Sequence, residues 1–426
     1  MLQLWLFANT VLWPIMTTLG GFWLQLNTVL LTLAGLVWIL RNRHVSLSSL
    51  KVLAAFLFFL LYSWGIAWVG PCRDSFPKSF ITSAILMFLA LVGLEAVRRS
   101  TPADWIRMEK TATTAIVVVF LSLALQAIHP AWFSQSQRYT FTHRYSGIYG
   151  EPSSVAFSMF PCVAILLVSA ERKMRMRGMV ALLGFLIFCR SSTLISLIVV
   201  WFLYRLVAHR KIRQAAVIAA AMVLFYFIGA IVNYDLYIAP TVSRAQGVAA
   251  LNDADNLSSL VYVQGWEDSW ENLRRTHGLG LGFNMMGCRP LPDVPIRRIL
   301  YWLGPGMDEL NAQNGSILFG KVISETGIFG FFFFAALIVW WIRFEYRIQR
   351  YASADDRPAL DIQAALIFSF LACSFIRSAG YFNATLLLLI IAVAAAFRWQ
   401  SKLKLPPTSA LSTNSAPTPF IPPSSV

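Results

Sequence analysis

Residues 80–128 read FITSAILMFLALVGLEAV, then RRSTPADWIRMEK, then TATTAIVVVFLSLALQAI. Two apolar runs, Phe80–Val97 and Thr111–Ile128, flank a connection carrying Arg98, Arg99, Arg107 and Lys110. A helix crosses a bilayer with about 17–25 mostly apolar residues, and both runs have that length. Basic residues gather in the loops that stay cytoplasmic, so this connection is expected to face the cytoplasm.

The pattern repeats outward in both directions. Further apolar runs are Leu4–Leu19, Phe22–Leu40, Val52–Val69, Ser153–Ala170, Gly178–Cys189, Thr193–Val207, Ala215–Val232, Ile328–Ile342, Leu360–Phe375 and Tyr381–Phe397. Every second connection is basic: Arg41 to Lys51, Arg172 to Arg177, Arg210 to Arg213, Arg343 to Arg357, and Arg398 to Lys404. The short loops between are poor in Lys and Arg, and one miscounted span would break the alternation. The sequence therefore predicts an all-α, polytopic transmembrane helical bundle of about twelve spans with both termini cytoplasmic. The first two runs also read as a single hairpin. Nine spans fill 1–232, with a far-side loop near 129–152. A large far-side loop fills 233–313, and three spans fill 314–400. Residues 401–426, rich in Pro, Ser and Thr, are expected to be a disordered cytoplasmic tail.

Composition agrees. The chain has 426 residues, 57% hydrophobic and 13% charged, with a mean hydropathy of +0.62. A soluble domain carries roughly 25% charged residues, so this chain cannot cover a water-facing surface and is expected to lie in a lipid bilayer. The net charge of +15 is dispersed between apolar runs instead of forming one patch, which argues against nucleic acid. Met1 to Thr18 lacks the basic start of a secretory signal and reads as a retained span. Five cysteines form no CxxC pair, and no His or Cys is spaced for a metal, so neither metal nor cofactor is expected. Cys72 and Cys288 fall on the same far face, where two free thiols are preferred over a disulfide.

The large loop contains short helical signals. In Leu257–Arg275, the residues Leu257, Leu260, Val263, Trp266, Trp270 and Leu273 recur every three or four positions. That is an amphipathic helix, expected to lay its Trp-bearing face on the membrane surface. The run from His277 to Asn284 is glycine-rich without GxGxxG spacing and reads as a tight turn, not a nucleotide site.

Charged residues on the far side supply the candidate site. Arg144 and Glu151 flank Tyr-Ser-Gly-Ile-Tyr-Gly at the mouth of a span, where Pro152 suits a first helical turn and the helix dipole favours Glu151. A capped helix start with an incidental arginine fits these residues equally well. Arg190 interrupts two short apolar runs at membrane depth, a costly place that favours a functional role over a snorkelling arginine. Arg244 follows the ninth run, and Arg377 ends the eleventh. Together these arginines suit an anionic diphosphate held by forked hydrogen bonds. Glu325 opens the tenth span, either as partner to one of them or as a solvated interfacial carboxylate.

These residues resemble the bacterial O-antigen polymerase and O-antigen ligase superfamily. The resemblance covers most of the chain as a hydropathy plan with one large late periplasmic loop. Arg144 through Ser154 looks like the Arg-x-x-Gly…Glu-Pro-Ser run of polysaccharide polymerases. Arg190-Ser-Ser-Thr is similar to the break between two short spans. Gly278-Leu-Gly-Leu-Gly-Phe, Asn314 and Glu325-Thr-Gly-Ile-Phe-Gly330 are similar to the loop end and the start of a late span. Ligases carry a histidine just before the Asn that opens this span. Here the stretch reads Asn311-Ala-Gln313-Asn314, which favours a polymerase over a ligase. The resemblance implies an inner-membrane glycosyltransferase that joins undecaprenyl-diphosphate-linked repeat units in the periplasm, making O-antigen or exopolysaccharide. A flippase and a chain-length regulator are the implied partners. Arg144, Arg190, Arg244 and Arg377 would bind the substrate diphosphate, and Glu151 or Glu325 would have the catalytic role of base or orienting group. A polytopic transporter is the competing reading from another class. It would need inverted repeats and midplane acids, whereas the charges here cluster around one large loop.

Overall fold

The computed structural model describes residues 1–19, 22–42, 45–69, 72, 76–133, 144–209, 257–303, 306–377 and 380–400. The expected ninth span Ala215–Val232, the first part of the large loop with Arg244, and the tail 401–426 lie outside the described residues. The described chain is a helical bundle with one short hairpin. Five of its helical segments are long and apolar enough to cross a membrane: Ser49–Val69, Phe76–Arg98, Pro102–Ile128, Ile328–Tyr351 and Arg357–Ile376. Shorter apolar helices cover Leu2–Leu12, Leu26–Asn42, Pro152–Val168, Ser192–Leu206 and Ala384–Trp399.

The N-terminal segment departs from the expected span Leu4–Leu19. Helix α1 (Leu2–Phe7) continues as a π-helical turn only to Leu12, and the chain then enters strands β1 (Met16–Leu19) and β2 (Phe22–Gln25). The strands pair antiparallel, Met16 opposite Gln25 and Leu19 opposite Phe22. Pro14 is the cause: it has no N–H to donate to the carbonyl four residues back, so the helical ladder cannot continue through it. Helix α2 (Leu26–Asn42) then runs on from the hairpin.

Next come α3 (Leu47–Val69), α4 (Phe76–Arg98), the one-turn α5 (Pro102–Ile106) and α6 (Met108–Ile128). After them, α7 (Pro152–Val168), α8 (Arg172–Cys189) and α9 (Ser192–His209) form the middle of the chain. Two helices of the large loop, α10 (Leu257–Arg275) and α11 (Pro295–Leu303), precede α12 (Leu318–Thr326). The chain closes with α13 (Ile328–Tyr351), α14 (Arg357–Ile376) and α15 (Ala384–Gln400). Helices α7, α14 and α15 form the packed centre, and α14 is buried along nearly its whole length. Two buried indoles of the N-terminal segment find partners inside the bundle, as a lipid environment favours. The Trp5 indole donates to the Leu387 carbonyl at 2.8 Å, and Trp13 to the Ser158 hydroxyl at 2.6 Å.

The basic connections meet at one end of the bundle. Gln3 donates to the Asp104 carbonyl at 3.0 Å, and Arg99 donates to Asn42. Arg398 donates to the carbonyls of Val97 and Ser100 at 2.8 and 3.1 Å. Ser46 and Ser49, at the start of α3, both donate to Glu95 near the end of α4. The opposite end carries the ends of the spans around 69–76, the 144–151 segment, the α8–α9 turn, α10 to α12, and residues 377–383. It is the loop-rich end.

Candidate functional site

Four of the six expected site residues share the loop-rich end on neighbouring elements, and a fifth, Glu325, stands there in a different role. The segment 144–151 is seated by α6. Buried Gln126, in the last turn of that helix, accepts the backbone N–H groups of Ser146 and Gly147 at 2.8 and 2.7 Å. Gly147 has φ +55°, and a Cβ there would lie 2.2 Å from the Ser122 hydroxyl. Tyr149 is buried against the N-terminal helix, its hydroxyl donating to the Thr10 carbonyl at 2.5 Å. Held at these points, the segment delivers Arg144 at one end and Glu151, the N-cap of α7, at the other.

Arg190 stands beside that segment. The Tyr145 N–H donates to the Phe188 carbonyl at 2.9 Å, which ties the residue after Arg144 to the end of α8. The break at Arg190 is real: its φ and ψ are both 46°, a left-handed helix terminus. Helices α8 and α9 have 18 residues each, about 27 Å of rise apiece, and Arg190 makes the turn between them. Helix α8 starts before the apolar run Gly178–Cys189 because its first turns carry Arg172, Lys173, Arg175 and Arg177, which a hydropathy reading assigns to a loop.

Arg377 closes the group. It ends α14, which packs on α7, and its guanidinium lies 3.4 Å from the Glu151 carboxylate. The Ser153 hydroxyl donates to the same carboxylate oxygen at 3.0 Å. Both side chains keep solvent access, 18% for Arg377 and 37% for Glu151, so this pair can be reached by a substrate. Arg244, the sixth expected residue, lies outside the described residues.

Glu325 has neither of its expected roles. Its side chain is fully buried and ion-paired with Lys321 of its own helix at 3.0 Å, not with an arginine and not with water. Its oxygens also accept the backbone N–H groups of Asn284 and Met286 at 2.7 and 2.9 Å and the Tyr381 hydroxyl. A buried carboxylate is tolerated only when paired and hydrogen-bonded, and four donors meet that demand. Burial, with Glu325 beside it, pushes the Tyr381 hydroxyl well above the usual tyrosine range, so Tyr381 stays protonated and donates. The carboxylate binds α12, the 278–288 loop and the 380–383 turn into one unit. Buried and taken up by four donors, Glu325 is placed here as a structural carboxylate.

The glycine-rich run is the turn expected of it. Gly280 has φ +87°, and a Cβ there would sit 2.5 Å from both the Glu325 carbonyl and the Gly327 N–H. The loop lies backbone on backbone against the α12–α13 junction, with the Gly282 N–H donating to the Glu325 carbonyl at 2.8 Å and Ile328 to Gly278 at 2.9 Å. The end of this loop is bonded covalently to the α3–α4 connection. Cys72 and Cys288 form a disulfide with 5.5 Å between their Cα atoms, which corrects the free-thiol expectation. Sequence separation of 216 residues hid the pairing. Cys162, Cys189 and Cys373 are free and buried.

Helix α10 has the expected bounds, and it packs on the protein with polar and apolar residues together. Leu260 is buried, and Trp266 and Leu273 pack against the core, with Trp266 on Phe319. Gln264, Asp268, Ser269 and Asn272 are buried too, and Trp270 is left 70% exposed. Asn272 donates to Ser324 at 2.7 Å, and Asp268 pairs with buried Arg297 of α11 at 2.6 Å. An exposed tryptophan on the other face keeps a membrane-surface position consistent with the fold.

Sequence reasoning missed Lys321, Tyr381 and Gln126. Lys321 left a signal, being four residues before Glu325 on one helical face. Tyr381 left none, because its partner is 56 residues away. No family model matches the sequence, and no curated protein matches it.

Proposed function

We propose that this chain is an inner-membrane polysaccharide polymerase that joins lipid-diphosphate-linked oligosaccharide repeat units on the outer face of the membrane. The observation that carries the reading is the gathering of Arg144, Glu151, Arg190 and Arg377 at one end of a membrane bundle, with an accessible carboxylate 3.4 Å from a guanidinium. In this reading about twelve spans cross the membrane, both termini are cytoplasmic, and the loop-rich end is periplasmic. The basic residues at the opposite end support that orientation. The Cys72–Cys288 disulfide at the loop-rich end supports it independently, since disulfides persist in oxidising compartments.

The chemistry needs few parts. A sugar hydroxyl of one repeat unit attacks the anomeric carbon of the glycan carried by another lipid diphosphate. The new C–O glycosidic bond forms as the C–O bond to the diphosphate breaks, and that electron pair leaves on a diphosphate oxygen. The hydroxyl proton goes to a base. Arginines placed where the negative charge develops lower the barrier by electrostatic stabilisation, and Arg144, Arg190 and Arg377 have that role, with Arg244 completing the set. Glu151 takes the proton, poised and oriented by Arg377 and Ser153. No nucleotide or metal takes part in this scheme.

Deletion of the gene in a polysaccharide-producing host tests the reading. Surface glycan should collapse to a single repeat unit on a gel, and Glu151→Gln or Arg377→Gln should reproduce the collapse at normal protein abundance, with a rate loss of roughly 10²–10⁴ for the base. Long polymer retained on its lipid carrier would show a ligase instead, and an unchanged ladder would return the chain to the transporter class.

A further inference from the structure

A different cation on the loop-rich end stands apart from the arginines. Lys78 lies in the first turn of α4 and is exposed. Most cations of this end are already neutralised: Arg274, Arg289, Arg297 and Arg298 each pair with a carboxylate. Lys78 has no carboxylate partner among the described residues. Its ammonium donates to the Gln313 side-chain carbonyl at 3.2 Å. Lys321 donates to the main-chain carbonyl of the same Gln313 at 2.5 Å, so two ammonium groups converge on one neutral residue. Among the described residues the carboxylate near them, Glu325, is spent on Lys321, two backbone N–H groups and Tyr381. The described residues of this place therefore carry one excess positive charge, and the N-terminus of α4 adds to it. Gln313 and Asn314 beside it are exposed amides that can donate to an oxyanion.

We propose that Lys78, backed by Lys321 and flanked by Gln313 and Asn314, is a second diphosphate site that holds the lipid diphosphate of the acceptor. This rests on the polymerase reading. In that reaction both substrates carry a diphosphate, and only the donor's leaves. The donor group gains charge at the transition state and needs forked arginine contacts. The acceptor group gains none and needs only anchoring by a point charge, which is what a lysine ammonium supplies. Lys78 opens a membrane-length helix, so it stands where such a helix reaches the headgroup layer and where a lipid-borne diphosphate lies. Having two sites lets two lipid-linked substrates meet with their sugars between them.

The test is the stoichiometry of undecaprenyl diphosphate on the full-length protein in phosphatidylcholine nanodiscs, read by native mass spectrometry. The wild type should take two equivalents. Lys78→Gln should weaken one of them by about tenfold to a hundredfold, the value of one charge-assisted hydrogen bond. Lys78→Arg should keep both, and Arg377→Gln should weaken the other. Two equivalents of unchanged affinity in Lys78→Gln would overturn the second site. A single equivalent in the wild type, lost in Arg377→Gln and untouched in Lys78→Gln, would overturn it while leaving the arginine site standing. No binding at all would overturn the polymerase reading with it. Displacement of the Lys78-dependent equivalent by equimolar phosphatidylglycerol would assign the place to ordinary phospholipid headgroups and overturn the proposal. The buried free cysteines report folding of each variant through their protection from maleimide.

Discussion

Replacing Glu325 by glutamine isolates the keystone of the loop-rich end. Lys321 is 1% exposed and Glu325 fully buried. Removing the charge of one leaves an ammonium in a low-dielectric interior, where breaking a buried pair costs about 3–5 kcal/mol. The glutamine amide also presents a donor to a backbone N–H, that of Asn284 or of Met286 according to which oxygen it replaces. The apparent Tm in detergent should fall by roughly 5–10 °C, measured by a maleimide fluorophore that reacts with Cys162, Cys189 and Cys373 as they become exposed. The double variant Lys321→Met with Glu325→Gln removes both charges and should recover a part of the loss, a coupling on the order of 1–3 kcal/mol. A single variant within 1 °C of wild type would refute the four-donor network (about 1 °C being below any kcal-scale effect).

Further outcomes follow from particular contacts. Gly280→Ala places a Cβ 2.5 Å from backbone atoms of the α12–α13 junction at φ +87°, and should cost more than about 2 kcal/mol, seen as reduced folded protein in membranes. Cys72→Ser with Cys288→Ser opens a loop of 216 residues, worth up to about 5 kcal/mol by chain entropy; a PEG-maleimide gel shift should show that the wild type gains two modified cysteines only after reduction. Burial pushes the Asp268 carboxyl up to about 6, against the lowering effect of Arg297. The folded state therefore holds this proton more tightly than the unfolded one, and acidification from pH 7 through 6 towards 4 stabilises the α10–α11 contact by at most on the order of 3 kcal/mol. Hydrogen exchange in α10 should slow across that window, and Asp268→Asn should abolish the dependence.

The membrane character and the shared end of the basic loops were legible in the sequence because the bilayer acts as a one-dimensional solvent. Whether a run such as Phe80–Val97 crosses it depends on its own length and hydropathy, and its direction depends on charges within a few residues. The same locality made Arg144 to Ser154 readable as a helix start and the 277–284 run as a turn. It failed where local composition and helix differ, as at Pro14, which ends the first helix early, and at Arg172 to Arg177, whose charges hid the first turns of α8. Tertiary structure alone decided the rest. Cys72 finds Cys288 across 216 residues, Glu325 finds Asn284 and Tyr381, and Arg377 finds Glu151 across 226. It also decided that α10 buries Leu260 together with Gln264, Asp268 and Asn272 and leaves Trp270 outside, since an amphipathic pattern does not record which positions a neighbouring element covers. Pairings of this kind depend on which helices pack side by side, and no span records its neighbours in its own hydropathy.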